Sequence, residues 1–181
     1  MNEQIEPIIE HWKAEHSERI FFLTLGLGAE IHWFFTQALE ALKLGLYLPA
    51  CTSFINGIES SIRVIYAQSI QKGINHLNDT PTLSNSLLIK AQSIGMPITF
   101  LKFPNEAQFQ ENLVSTKPKT NVEIVRVRHN LAHGNIFEYI NKDLGEDNIF
   151  FTPECCRNLA FNLYEISKEW CAELAKFKQT K

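Results

Sequence analysis

The stretch Val125-Arg126-Val127-Arg128-His129-Asn130-Leu131-Ala132-His133-Gly134-Asn135 gathers arginine, histidine and asparagine into one segment of helical character. Leu131 and Ala132 favour helix, and Gly134 is placed to end it in the left-handed conformation. A histidine in the last turn is favoured by the helix dipole, which gives His133 a purely structural reason to be there. Elsewhere the chain reads mostly as ordinary amphipathic helix.

Successive residues on a helix are rotated by about 100°. Glu123, Arg126, Asn130 and His133 then share one face. Ile124, Val127 and Leu131 form an apolar arc, and Val125 and Ala132 form a second arc beside it. Arg128 falls between the two arcs, where a core residue is expected. A guanidinium does not deprotonate, so it must meet an acid, an anion or a solvent-filled cleft. One reading is a buried ion pair with Glu59 or Glu123.

The run from Arg128 to His133 resembles the R-x4-6-H motif of the HEPN superfamily, whose histidine often sits in an Ala-His-Gly context. Arg126 satisfies the looser spacing and Arg128 the common short form, so Arg128 is favoured as the motif arginine. The stretch from Leu48 to Arg63 is similar to the early helix of small bacterial proteins of this group. The resemblance implies an all-α fold: a single domain over residues 1–181, an antiparallel helical bundle with an inserted loop and short-helix region. It implies a metal-independent endoribonuclease that works as a homodimer, the paired motifs facing one cleft. Toxin–antitoxin and phage-defence systems are the settings it suggests, with a protein antitoxin or regulatory partner.

Composition bounds the reading. A chain of 181 residues that is 45% hydrophobic and 20% charged is globular rather than disordered, and long enough for one real core. The most apolar region, Ile20 to Ala50, is interrupted by Glu30, His32, Gln37, Glu40 and Lys43, so no membrane span is expected. The acidic N-terminus lacks the pattern of a signal peptide. Cys51, Cys155, Cys156 and Cys171 form no C-x-x-C pair and read as reduced thiols of a cytoplasmic protein. A net charge of −3 argues against a protein that coats nucleic acid, but allows a local basic cleft. Lys117 and Lys119 lead into the motif, either as RNA contacts or as a solvated loop.

The helical pattern predicts elements in order. A first helix runs from about Glu3 to Ser17 with Trp12 inward, followed by a strand-like stretch, Ile20 to Leu25, of ambiguous character. Ala29 to Leu44 is a strong helix capped by Gly45, with Trp33, Phe34, Gln37, Leu39 and Leu42 on its buried side. Pro49 to Lys72 follows, ended by Gly73, with Glu59 and Arg63 as an i,i+4 pair. Asn75 to Thr82 reads as a polar turn and Ser84 to Ile94 as a short helix. Pro97 to Thr120 reads as an insertion at the bundle edge, with a helical turn near Ala107 to Val114. The motif helix spans Asn121 to His133, and Asn141 to Gly145 forms a turn. Thr152-Pro153-Glu154 opens a last helix, Thr152 capping it, with an apolar stripe of Leu159, Leu163, Ile166, Trp170 and Leu174.

His129 and His133 stand at i,i+4, but no third ligand or H-E-x-x-H pattern accompanies them, so no metal or other cofactor is expected. Neither a cysteine-nucleophile signature nor G-x-S-x-G is present. RNA cleavage by its own 2′-hydroxyl needs only a proton carrier near neutrality and a cation for the phosphate. His133 suits the first task and Arg128 the second. Asn130 is placed to orient the phosphate or the histidine, Arg126 and His129 to contact RNA, and Glu59 to orient Arg128. On a straight helix Arg128 and His133 point about 140° apart. They converge only if the helix distorts near Gly134 or a partner subunit contributes. The alternative is a dimer that binds RNA or a protein without cutting.

Overall fold

The computed structural model describes residues 6–71, 77, 79–140 and 150–180. Among these residues the chain is all-α, with seven helices and no strand. The helices are α1 Glu6–Thr24, α2 Ala29–Lys43, α3 Tyr47–Gln71, α4 Asn85–Ser93, α5 Phe109–Leu113, α6 Glu123–Ala132 and α7 Arg157–Gln179. Short 3-10 turns at Ile98–Leu101, Ile136–Tyr139 and Pro153–Cys156 join them. None of the described helices is long and apolar enough to cross a membrane.

α3 is the axis of the core. Phe54, Ile55, Ile58, Ile62 and Ile65 are all buried along it. α2 turns back onto α3 through Leu44, Gly45 and Leu46, with Gly45 at φ +72°. Gly57 makes the close approach possible: a Cβ there would stand 2.9 Å from the Phe35 ring. α7 closes the other side, where the buried indole of Trp170 donates to Ser61 Oγ at 2.9 Å, and Ser61 donates to the Ile58 carbonyl. That chain of bonds satisfies two polar groups that would otherwise be costly in the core. Leu159, Leu163, Ile166, Trp170 and Leu174 are all buried, so the stripe read from the sequence is core.

Several expectations need correction. The strand-like stretch continues α1 to Thr24, because Phe22 reaches the core and stacks on Phe35 with ring centroids 5.1 Å apart. Trp12 is not inward but 65% exposed. α2 is turned from its expected phase: its buried residues are Ile31, Phe35, Ala38, Leu39 and Leu42, while Trp33, Phe34 and Gln37 are not among them. The groove above Gly57 selects Phe35 as the inward ring. Residues 97–120, expected at the bundle edge, send Ile98, Leu101, Phe103, Phe109 and Leu113 into the core. The helical turn expected there is α5. Thr152 makes no side-chain cap, and α7 is preceded by a 3-10 turn. Gly73, residues 75, 76 and 78 of the polar turn, and the 141–145 turn lie outside the described residues.

The four cysteines are free thiols; Cys51, Cys156 and Cys171 are buried and Cys155 half-buried. Burial pushes the Cys51 and Cys171 thiols up, which keeps them protonated and unreactive.

Candidate functional site

α6 is pinned at its start by groups far apart in sequence and closed at its end by its own cap. Ile124, Val125 and Val127 are fully buried and set the helix against the core. At its start, Glu106 Oε1 accepts the Glu123 amide at 2.7 Å, and Asn85 Oδ1 accepts the Val122 amide at 3.2 Å. A carboxylate at the positive end of the helix also meets the dipole favourably. Burial holds the Glu106 carboxyl above the usual carboxylate range, against the opposing pull of its two bound amides, Glu123 and Phe103. At the other end Gly134, at φ +69°, adopts the left-handed conformation. The Asn135 amide bonds back to the Asn130 carbonyl at 2.8 Å and the Gly134 amide to Leu131 at 3.5 Å. This pairing closes the helix and leaves His133 as its last, capping residue.

Two ionic clusters flank the helix. In the first, Arg126 pairs with Glu123 on its own helix and with Glu138 from the turn beyond the cap. The Asn130 amide also donates to Glu138, and its oxygen accepts from Asn135 Nδ2 at 3.1 Å. The Glu123 carboxylate, together with Glu138, raises the Arg126 pKa further above its ordinary value. One guanidinium against two carboxylates leaves a formal charge of −1. Asn130 is buried within this cluster, with its side chain occupied by Glu138 and Asn135. Tyr139 packs against the core beside it, and burial raises its hydroxyl pKa.

In the second cluster Arg128 reaches across to α3. Its Nε donates to Glu59 Oε2 at 3.1 Å. Arg63 Nη1 stands 3.8 Å from the other oxygen of Glu59 and also donates through Nη2 to the carbonyls of Leu77, at 2.7 Å, and Thr80. Among the described residues, two guanidiniums therefore share one carboxylate, a formal charge of +1. The Arg128 side chain is 21% exposed and Glu59 13%, so the pair is shielded but open to one side. The ion pair read from the sequence exists with Glu59, while Glu123 takes Arg126 instead.

His129 and His133 are exposed and their rings stack, with centroids 5.9 Å apart and planes 11° from parallel. No hydrogen bond among the described residues joins either imidazole to Arg128. Lys117 and Lys119 are exposed on the loop before α6, and Lys119 has φ +63°. The fold thus brings together Arg126 with Asn130, His129 with His133, and Arg128 with Glu59 of α3, as three neighbouring groups along α6. Among the described residues no three His, Cys, Asp or Glu side chains cluster as metal ligands.

Sequence reasoning missed Glu138, Glu106 and Asn85, the residues that hold the motif helix in place. Asn85 also donates to the carbonyls of Asn112, at 2.9 Å, Leu113 and Thr120. Its only sequence signal is its place just after the Ser84 cap of α4. Compared with known proteins, the chain matches no family model, no curated protein and no solved structure.

Proposed function

We propose that this protein is a metal-independent endoribonuclease of HEPN type, acting as a homodimer. The observation that carries the reading is the surplus positive charge of the Arg128–Glu59–Arg63 cluster beside two exposed histidines. A phosphate approaching Arg128 finds a guanidinium only half-neutralised and already oriented by Glu59. Water reaches both imidazoles, and Gly134 frees the chain just beyond His133.

In this reading the 2′-hydroxyl attacks the adjacent phosphorus, displacing the 5′-oxygen of the next nucleotide. His133 takes up or returns the proton, and Arg128 stabilises charge gathering on the phosphate oxygens. The products carry a cyclic phosphate and a 5′-hydroxyl. Asn130 acts by holding the turn after His133 rather than by touching RNA. His129 stacks against His133 and fixes its ring. A second copy supplies the convergence that one straight helix lacks, its His133 facing this subunit's Arg128.

One observation favours a second reading. Within one subunit Arg128 and His133 belong to different contact sets, as suits a dimer that binds RNA without cutting it. Cleavage of a mixed RNA pool in EDTA, wild type beside folded His133→Ala, separates the two. Activity lost in the variant supports the enzyme; equal activity in both removes His133 from the chemistry, and none in either leaves the binder.

A further inference from the structure

A cleft of about 590 Å³ opens where the 103–108 turn meets the start of α6 and the outer side of α7. Five amide side chains line it: Asn105, Gln108, Asn112, Asn121 and Asn162. Among the described residues no hydrogen bond engages any of the five side chains. Two carboxylates, Glu106 and Glu123, lie in the same wall, and Phe103 and Pro104 give it an apolar side. The volume is in the range of small-molecule sites, and convergent polar groups beside an apolar wall are their usual lining.

The cleft is also preorganised. Glu106 is fixed by the Phe103 and Glu123 amides, and Asn85 ties down the carbonyls of Asn112 and Thr120 on the facing loop. Glu123 is shared: it lines the cleft and pairs with Arg126. It stands on the helix face that continues through Arg126 and Asn130 to His133. Ten residues of helical rise put the cleft about 15 Å from that histidine, a distance that a few nucleotides of single strand can cover.

We propose that this cleft is a base-recognition subsite for guanine in single-stranded RNA. The proposal rests on the ribonuclease reading and adds to it which neighbouring base is read. Guanine alone among the four bases offers two adjacent N–H donors on its pairing edge, which the fixed Glu106 carboxylate accepts together. The free amides of Asn105, Gln108 and Asn121 then donate to its O6 and N7, and the ring lies against Phe103 and Pro104. Single-stranded RNA is commonly read in this way, by edge hydrogen bonds and stacking of unpaired bases. Uracil offers one donor between two carbonyls and leaves the carboxylate unmatched. Ion pairing supports the choice: Glu123 is engaged by Arg126, whereas Glu106 forms no salt bridge among the described residues and each of its oxygens keeps a lone pair beside the backbone amide it accepts.

The test titrates the four nucleoside monophosphates into isotope-labelled full-length protein and follows the side-chain amide signals. GMP should shift those of Asn105, Gln108 and Asn121 and bind about tenfold or more tightly than UMP. The exposed-side variant Asn105→Ala/Gln108→Ala should lose that preference while keeping its fold. Glu106→Gln, which keeps an oxygen for the Glu123 amide, should lose it too. Equal binding of all four nucleotides, or GMP affinity unchanged in Asn105→Ala/Gln108→Ala, overturns the proposal. RNA cleaved by that variant with unaltered cut-site preference also overturns it, yet leaves the ribonuclease standing. GMP bound selectively by a protein that cuts no RNA upholds the subsite and removes the ribonuclease.

Discussion

The two ionic clusters beside α6 use the same residue types for opposite ends. Around Arg126, two carboxylates and a buried amide enclose one guanidinium, and the sum is negative. Around Arg128, two guanidiniums share Glu59 among the described residues, and the sum of those three is positive. The first cluster ties the helix to the turn after its cap; its members sit within sixteen residues, Glu123 to Glu138. The second ties α6 to α3 across the core. On the proposed ribonuclease reading, the scissile phosphate is held by the second cluster rather than the first. On that reading this difference in charge supports Arg128, which the spacing already favoured over Arg126.

The strongest way to break this comparison is at the histidine they flank. His133→Ala should slow RNA cleavage by about 10²–10⁴-fold, the usual contribution of a general acid–base group, with the fold intact by circular dichroism. Arg126→Ala should leave the cleavage rate within a small factor of wild type. If the two variants were to exchange places, the charge argument would fail.

Arg128→Lys should cost on the order of 10²-fold in rate, because an ammonium cannot hold Glu59 and a phosphate with one planar fork. The assay is single-turnover cleavage under EDTA. A lysine variant as fast as wild type would mean that the cluster serves folding alone.

Glu59→Gln tests the shielded pair as structure. It leaves two guanidiniums facing each other, and should lower stability by about 2–3 kcal/mol in urea unfolding. Glu138→Gln removes one acid of the more exposed cluster and should cost about 1 kcal/mol or less. The same substitution turns the first cluster neutral, so it should strengthen RNA binding slightly at low salt, read by fluorescence anisotropy. A larger stability loss from Glu138→Gln than from Glu59→Gln would reverse the ranking of the two clusters.

Glu106 adds a pH dependence of defined sign. Its folded pKa is raised by burial, so the folded state holds this proton more readily than the unfolded chain does. Its contribution to stability is therefore favourable below the ordinary carboxylate range and is lost as pH rises through the raised value. Compared by urea unfolding from acidic to neutral pH, wild type should lose stability relative to Glu106→Gln as pH rises through that window, and parallel curves would show that Glu106 contributes no such dependence.

Much of the fold is legible in the amino-acid sequence. Helical periodicity marks α2, α3, α6 and α7, Gly45 and Gly134 mark their turns, and Pro153 marks the approach to the last helix. Those signals are local: they come from backbone preferences and from side chains three or four residues apart. Even Arg128 announces itself, since a permanent charge between two apolar arcs requires a partner.

What only the tertiary structure decides is which partner, and which side faces in. Trp33, Phe34 and Phe35 are all large and apolar, so periodicity alone cannot choose among them. The groove left by Gly57 admits Phe35, and Trp33 and Phe34 are left outside. Glu59 and Glu123 are equally good acids for Arg128 by residue type. Glu59 is 69 residues away in sequence yet 3.1 Å away in space, because α3 and α6 meet in the core. Glu123 lies a turn from Arg126 and is claimed by it. Charge pairing falls off with distance through space rather than along the chain, so the sequence determines that these arginines need acids, and the packing of α3 against α6 determines which ones they have.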